Sequence, residues 1–191
     1  LDDGWFGKRN DDWTSLGDWF VDTNKLPGGL TAVIDKCREC DMKFGLWFEP
    51  EMVNENSDLY RAHPDWAIHV PDLEPCTGRD QLVLDLTRAE VRQYIIDSVS
   101  KVLKENEIDY VKWDMNRSLT DNYSAWLGAN AKETKHRYVL GFYEICEALV
   151  NGFPHIFFEG CASGGCRFDP AMLYYFPQIW TSDDSDAYLR T

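Results

Sequence analysis

The chain has 191 residues, a formal net charge of −14 at pH 7 and an aromatic content of 14% that includes eight Trp. That charge excludes nucleic acid and anionic membrane surfaces as partners, since no basic patch is present to neutralise phosphates, and no apolar run approaches the ~18 residues of a membrane span. What remains is one domain, or part of a larger one, suited to a neutral ligand.

Leu1-Asp2-Asp3-Gly4-Trp5-Phe6 reads as the tail of a strand, so the chain is expected to be a segment of a longer protein. A loop rich in Asp, Trp and Gly leads to Pro27-Gly28-Gly29. An amphipathic helix then runs from about Leu30 to Cys40, with Leu30, Val33, Ile34 and Cys37 on its apolar stripe. Cys37 and Cys40 have metal-ligand spacing, but no second such pair follows, so they read as helix thiols and no metal is expected. The six cysteines do not have the spacing of a disulfide framework, which favours a reducing, cytoplasmic compartment.

Lys43 to Glu49 reads as the second strand, stopped by Pro50. After a long connection, Gln81 to Leu86 reads as the third. Thr87-Arg88-Ala89-Glu90 has the form of a capping box, with Thr87 as N-cap. It opens a helix whose stripe is Val91, Ile95, Val99, Val102 and Leu103. The fourth strand, Ile108 to Trp113, delivers Asp114 to its C-terminal end. A long polar loop follows, then a helix with Tyr138, Val139, Phe142, Ile145, Cys146 and Leu149 inward. His155 to Gly160 and Gln178 to Ser182 are strands five and six.

Alternating β and α with short αβ turns and long βα loops predicts a parallel α/β architecture. No glycine-rich nucleotide signature follows a strand, which weakens the open doubly wound sheet. Polar residues stand at the C-terminal end of every strand, and a (β/α)8 TIM barrel would gather them around one mouth. The expected fold is thus an incomplete barrel covering roughly strands 1 to 6.

The most informative stretch is Tyr110-Val111-Lys112-Trp113-Asp114-Met115-Asn116-Arg117. Side chains alternate along a strand, so Lys112, Asp114 and Asn116 share one face. A cation two residues from a carboxylate favours its charged form, as a nucleophile or cation stabiliser requires. The plainer reading is a surface ion pair at a strand end. A second carboxylate is available in Trp180-Thr181-Ser182-Asp183-Asp184-Ser185-Asp186, where neighbouring like charges suit a general acid; an acidic loop or a calcium site is the alternative. Trp47 and Trp180 could stack on a pyranose or simply fill the core. Asp2 and Asp3 could accept bonds from sugar hydroxyls or cap the loop. Gly160 to Cys166 lacks the lysine of a phosphate cradle and reads as a tight turn close to a neutral ligand. The four histidines have no metal-site spacing.

LDDGWF, GLWFEPEMV, YVKWDMNR, FEGCASGG, RFDPAMLYY and QIWTSDDSDA, in that order, resemble the catalytic barrel of α-galactosidases of glycoside hydrolase family 36 over essentially the whole chain. The resemblance implies a retaining enzyme with Asp114 as nucleophile and Asp183 as general acid/base. It implies that Asp2 and Asp3 hold galactose hydroxyls, and that Trp47, Arg79, Lys112, Cys161, Gly164 and Trp180 line the sugar subsite, with Asn116 beside the nucleophile. A galactoside oligosaccharide such as melibiose or raffinose is the implied substrate, with no cofactor. It further implies flanking β-domains outside residues 1–191 and a homo-oligomeric full-length protein. Transglycosylation, N-acetylgalactosamine specificity and a non-catalytic sugar-binding module are the rival readings.

Overall fold

The computed structural model describes residues 1–162, 167–184 and 186–189. Helix α1 spans Gly29–Glu39 and leads into strand β1, Gly45–Phe48. Strand β2 (Met52–Val53), helix α2 (Asp58–Ala62) and strand β3 (Leu82–Val83) lie within the long connection that follows. Helix α3 (Ala89–Glu105), strand β4 (Tyr110–Trp113), helix α4 (Thr134–Gly152), strand β5 (Phe157–Gly160), helix α5 (Pro170–Tyr175) and strand β6 (Gln178–Ile179) complete the chain.

The main sheet has the order β1-β4-β5-β6, and each of its pairings is parallel. Leu1 extends it beyond β1: its amino group donates to Gly45 O at 2.8 Å, and Trp47 N donates to Leu1 O at 3.1 Å. Leu1 thus bonds alongside β1, within the segment whose sequence suggests a strand tail. Register aligns Trp47, Lys112, Glu159 and Gln178 across the sheet, and places Phe48, Trp113, Gly160 and Ile179 in the next row. A sheet of parallel strands joined through helices is the architecture of a partial barrel.

Two helices cover the outer face. The buried residues of α3 are Val91, Ile95, Val99, Val102 and Leu103, the predicted stripe. Those of α4 include Tyr138, Phe142, Ile145, Cys146 and Leu149, but Val139 points outward and is exposed. Trp113 packs on Phe142 and Phe176 between sheet and helices. Two glycines allow close approaches here. A Cβ on Gly141 would lie 2.2 Å from Leu86 O, and one on Gly45 would lie 2.6 Å from the Tyr110 ring.

The third predicted strand departs from expectation. Gln81 to Leu86 is buried, but its strand β3 pairs antiparallel with β2 in a separate two-stranded sheet. Loop groups also bond to it, with Ile68 N donating to Val83 O and Asp85 N to Trp66 O. No place exists for it between β1 and β4, which bond directly. The capping box also fails to form. Thr87 Oγ1 donates to Asp85 Oδ1 at 2.6 Å, Arg88 becomes the N-cap residue, and Glu90 accepts from Arg88 Nε at 2.8 Å. The Asp85 carboxylate takes both the hydroxyl and the backbone N–H of Thr87, which holds the residue in the turn before the helix. Among the described residues, no helix is long and apolar enough to cross a membrane.

Candidate active site

Asp114 follows β4, and its N–H prolongs the ladder by donating to Phe48 O at 2.7 Å. Asp114 is 5% exposed, and its carboxylate accepts three hydrogen bonds. Oδ2 accepts from Trp47 Nε1 at 2.9 Å and from Asn116 Nδ2 at 2.8 Å, while Oδ1 accepts from Met115 N at 2.9 Å. Three donors fix the carboxylate on rigid backbone, the preorganisation that a nucleophile requires. Trp47 is itself buried and held against Phe6 and Trp19. Its contact with the carboxylate is made by the indole N–H edge.

The hairpin tip at Arg79 also lines the site. Gly78 and Gln81 exchange backbone bonds across Arg79 and Asp80, which have φ of 54° and 57°. Two consecutive positive φ values without glycine make a tight primed turn that is strained, a feature that concentrates at functional sites. Arg117 secures this turn, donating from Nη1 to Cys76 O and Gln81 O, both at 2.6 Å. Asn54 Nδ2 adds a bond to Asp80 O at 2.8 Å. The hairpin is thus tied to the segment that follows Asp114.

Trp180 and Asp183 close the third side. Trp180 N donates to Gly160 O, which sets the residue at the end of β6. Its Nε1 donates to Asp183 Oδ1 at 2.8 Å, and its ring covers Lys112 Nζ at 4.7 Å. The ion pair of Lys112 is with Asp2, at 3.9 Å, rather than with Asp114. Asp184 and Asp186 accept from the backbone N–H groups two residues further on, so the acidic loop is organised as successive turns.

A cleft of about 360 Å³ results, lined by Arg79, Lys112, Asp114, Asn116, Cys161, Trp180, Ser182, Asp183 and Asp184. Seven of the predicted site residues converge there. Asp2 reaches the cleft through Lys112. Asp3 is held by Arg9 in a forked ion pair, with Nε 3.1 Å from Oδ1 and Nη2 3.0 Å from Oδ2. Gly164 lies outside the described residues. Among the described residues no cluster of His, Cys, Asp and Glu could hold a metal ion.

One titratable group beside the cleft is a strand-end polar residue that the sequence does not mark as part of the site. Glu49, at the end of β1, is 1% exposed. Its Oε1 accepts from Asn116 N at 2.5 Å and its Oε2 from Gln81 Nε2 at 3.0 Å. Burial, helped by the nearby charge of Asp114, pushes its pKa up to about 7. Period-two spacing from Trp47 was the available signal, but a strand-end glutamate looks the same whether buried or solvated.

Three carboxylates, a lysine, an arginine and an indole, gathered in one cleft beside the ends of parallel strands, have the layout of a glycoside hydrolase catalytic barrel. The chain belongs to the melibiase family, whose model matches residues 1–191, and it groups with the glycoside hydrolase family 36 α-galactosidases. It is 54% identical over its whole length to α-galactosidase AgaA of Geobacillus stearothermophilus and 53% identical to α-galactosidase Mel36A of Lactobacillus acidophilus, and it spans 26% of each. A crystal structure of a variant of AgaA in complex with raffinose superposes with a TM-score of 0.95 at 54% identity, covering 98% of this chain and 26% of that one. The chain thus spans about a quarter of the length of these relatives.

Proposed function

We propose that this chain carries the catalytic site of a retaining α-galactosidase that removes terminal α-linked galactose from oligosaccharides of the raffinose and melibiose type. The observation that supports this most is that Asp114 and Asp183 line one cleft together with Arg79, Lys112 and Trp180. Family membership and the raffinose complex of a relative support the substrate class.

In this reading Asp114 attacks the anomeric carbon. The C–O bond to the leaving sugar breaks, and its electron pair goes to the leaving oxygen, which takes a proton from Asp183. Water, deprotonated by the same Asp183, then releases galactose from the ester. Retaining enzymes need their carboxyl groups roughly 5–5.5 Å apart, one on each side of the scissile bond. Lys112 and Arg79 supply donors for sugar hydroxyls, and Trp180 offers an apolar ring face. Asp2 joins them through Lys112, and Cys161 lines the same cleft. A net charge of −14 fits a neutral ligand. Free thiols at Cys37, Cys40, Cys76 and Cys146 fit a reducing, cytoplasmic setting.

The test is hydrolysis of an aryl α-galactoside by the full-length protein and by its Asp114→Asn variant. Turnover by the first and a loss of at least about 1,000-fold in the second are expected, since an amide forms no glycosyl ester. Absence of turnover in the wild type would overturn the reading.

A further inference from the structure

We propose that Glu49 is a positioning residue for the displacement: its buried carboxylate, shared between the backbone N–H of Asn116 and the side-chain amide of Gln81, ties the Asp114 end of β4 to the hairpin that carries Arg79. The inference rests on the α-galactosidase reading and adds a residue outside the cleft lining. One oxygen of Glu49 sets the Asn116 backbone, whose own side chain donates to Asp114 at 2.8 Å. The other sets Gln81, two residues from Arg79. A change at Glu49 therefore moves both walls of the cleft at once.

Its protonation state matters for both bonds. The ionised carboxylate accepts two hydrogen bonds, as the geometry requires. The protonated form turns one oxygen into a donor that faces the Gln81 N–H unless that amide turns over. Gln81 Oε1 is buried with no partner among the described residues, so the turned amide would meet the new donor with the atom now left over. Proton uptake is thus absorbed locally, at the expense of a charge-assisted hold on Asn116.

The charged groups around Glu49 favour a functional role over a structural one. Asp114 faces it and raises its proton affinity. Arg117, on the same segment, gives its Nη1 to the carbonyl oxygens of Cys76 and Gln81, Arg79 lines the cleft, and Glu51 is paired with Arg167. An ionised Glu49 beside an ionised Asp114 is a repulsive pair, and attack on the anomeric carbon relieves it by turning Asp114 into a neutral ester. A carboxyl whose folded pKa lies near 7, above its ordinary 4.5, weakens the fold once ionised. Stability is lost as pH rises through that window and stays lost above it.

These features give two opposed readouts for Glu49→Gln in the full-length protein, measured beside the wild type and Asp114→Asn. A glutamine keeps the shape and the acceptor for Asn116 N but mimics the protonated form. Its melting temperature is expected to exceed that of the wild type at pH 8 and to match it near pH 5. Its kcat on an aryl α-galactoside is expected to fall about 10- to 100-fold, with KM changed less than about threefold. The double variant Glu49→Gln with Gln81→Glu, which returns a carboxylate to the pair, should recover part of that kcat. A variant less stable than the wild type at pH 8 would make Glu49 a plain structural strut, and an unchanged kcat would remove its role in turnover. Either result overturns the inference while wild-type activity stands. An inactive wild type would sink the α-galactosidase reading itself, and this inference with it.

Discussion

The indole N–H of Trp47 donates to Oδ2 of Asp114 at 2.9 Å, across the β1–β4 pairing that sets Trp47 opposite Lys112. A tryptophan whose position at a strand end suggested a sugar platform holds the candidate nucleophile by its edge. Its ring is packed into the cluster of Trp5, Phe6, Trp19 and Phe48. The orientation of the carboxylate is therefore inherited from the aromatic core.

Trp47→Phe removes that bond while keeping an aromatic ring in place. A hydrogen bond to a charged acceptor contributes roughly 1.5–3 kcal/mol, so kcat should fall about 10- to 100-fold. The melting temperature should drop as well, because a smaller ring leaves the cluster underpacked. Steady-state kinetics on an aryl α-galactoside would test this, and a variant with wild-type kcat would show that Asn116 and Met115 hold Asp114 unaided.

Asp183→Ala separates the roles of the two carboxylates. A poor leaving group needs protonation and a good one does not. Hydrolysis of melibiose should therefore suffer far more than hydrolysis of an aryl galactoside with an acidic phenol, while Asp114→Ala should damage both alike. If Asp184→Ala shows the leaving-group dependence instead, the acid sits one residue along the loop. Trp180 Nε1 bonds to Asp183 at 2.8 Å, so Trp180→Phe should also lower turnover of melibiose more than turnover of the aryl galactoside.

Behind the sheet lies another buried carboxylate with a different task. Glu51 is fully buried and accepts from Trp113 Nε1 at 2.9 Å, Tyr138 OH at 2.7 Å and Arg167 Nη1 at 2.7 Å. It joins β4, α4 and the segment before α5. Glu51→Ala strands the Arg167 charge among apolar groups and should destabilise the fold by about 3–5 kcal/mol. Urea denaturation would measure it, and a loss below about 1 kcal/mol would mean that Arg167 finds another partner.

Residues 1–191 expressed on their own should self-associate. Among the described residues β6 bonds to β5 on one side only, and its other edge has no strand. Exposed Phe168, Leu173 and Tyr174 lie in the neighbouring segment. Open edges beside apolar surface template aggregation. Sedimentation of a single monomeric species with one sharp thermal transition would contradict this.

Much of the architecture was readable from periodicity. The α3 stripe and the strand ends carrying Asp114 and Trp180 follow from spacing alone, because burial on one face leaves a 3.6- or two-residue trace. Gln81 to Leu86 misled because a short apolar run records burial and not partners, so loop-covered β3 resembles a barrel strand. Lys112 and Asp114 lie on the predicted face, yet Lys112 turns to Asp2 and Trp180, a choice made by tertiary neighbours. Glu49 shows only as a polar residue at a strand end, and Gln81 and Arg117 carry no signal, since their roles depend on bonds between segments more than 30 residues apart.

Asp114 is the group expected to bond to the sugar. A fluorinated α-galactosyl fluoride, which forms the ester quickly and releases it slowly, should inactivate the full-length protein. Peptide mapping by mass spectrometry should then find one fluorosugar on the peptide carrying Asp114, and none after Asp114→Asn. A label on any other residue, or continued turnover with no label at all, would contradict it.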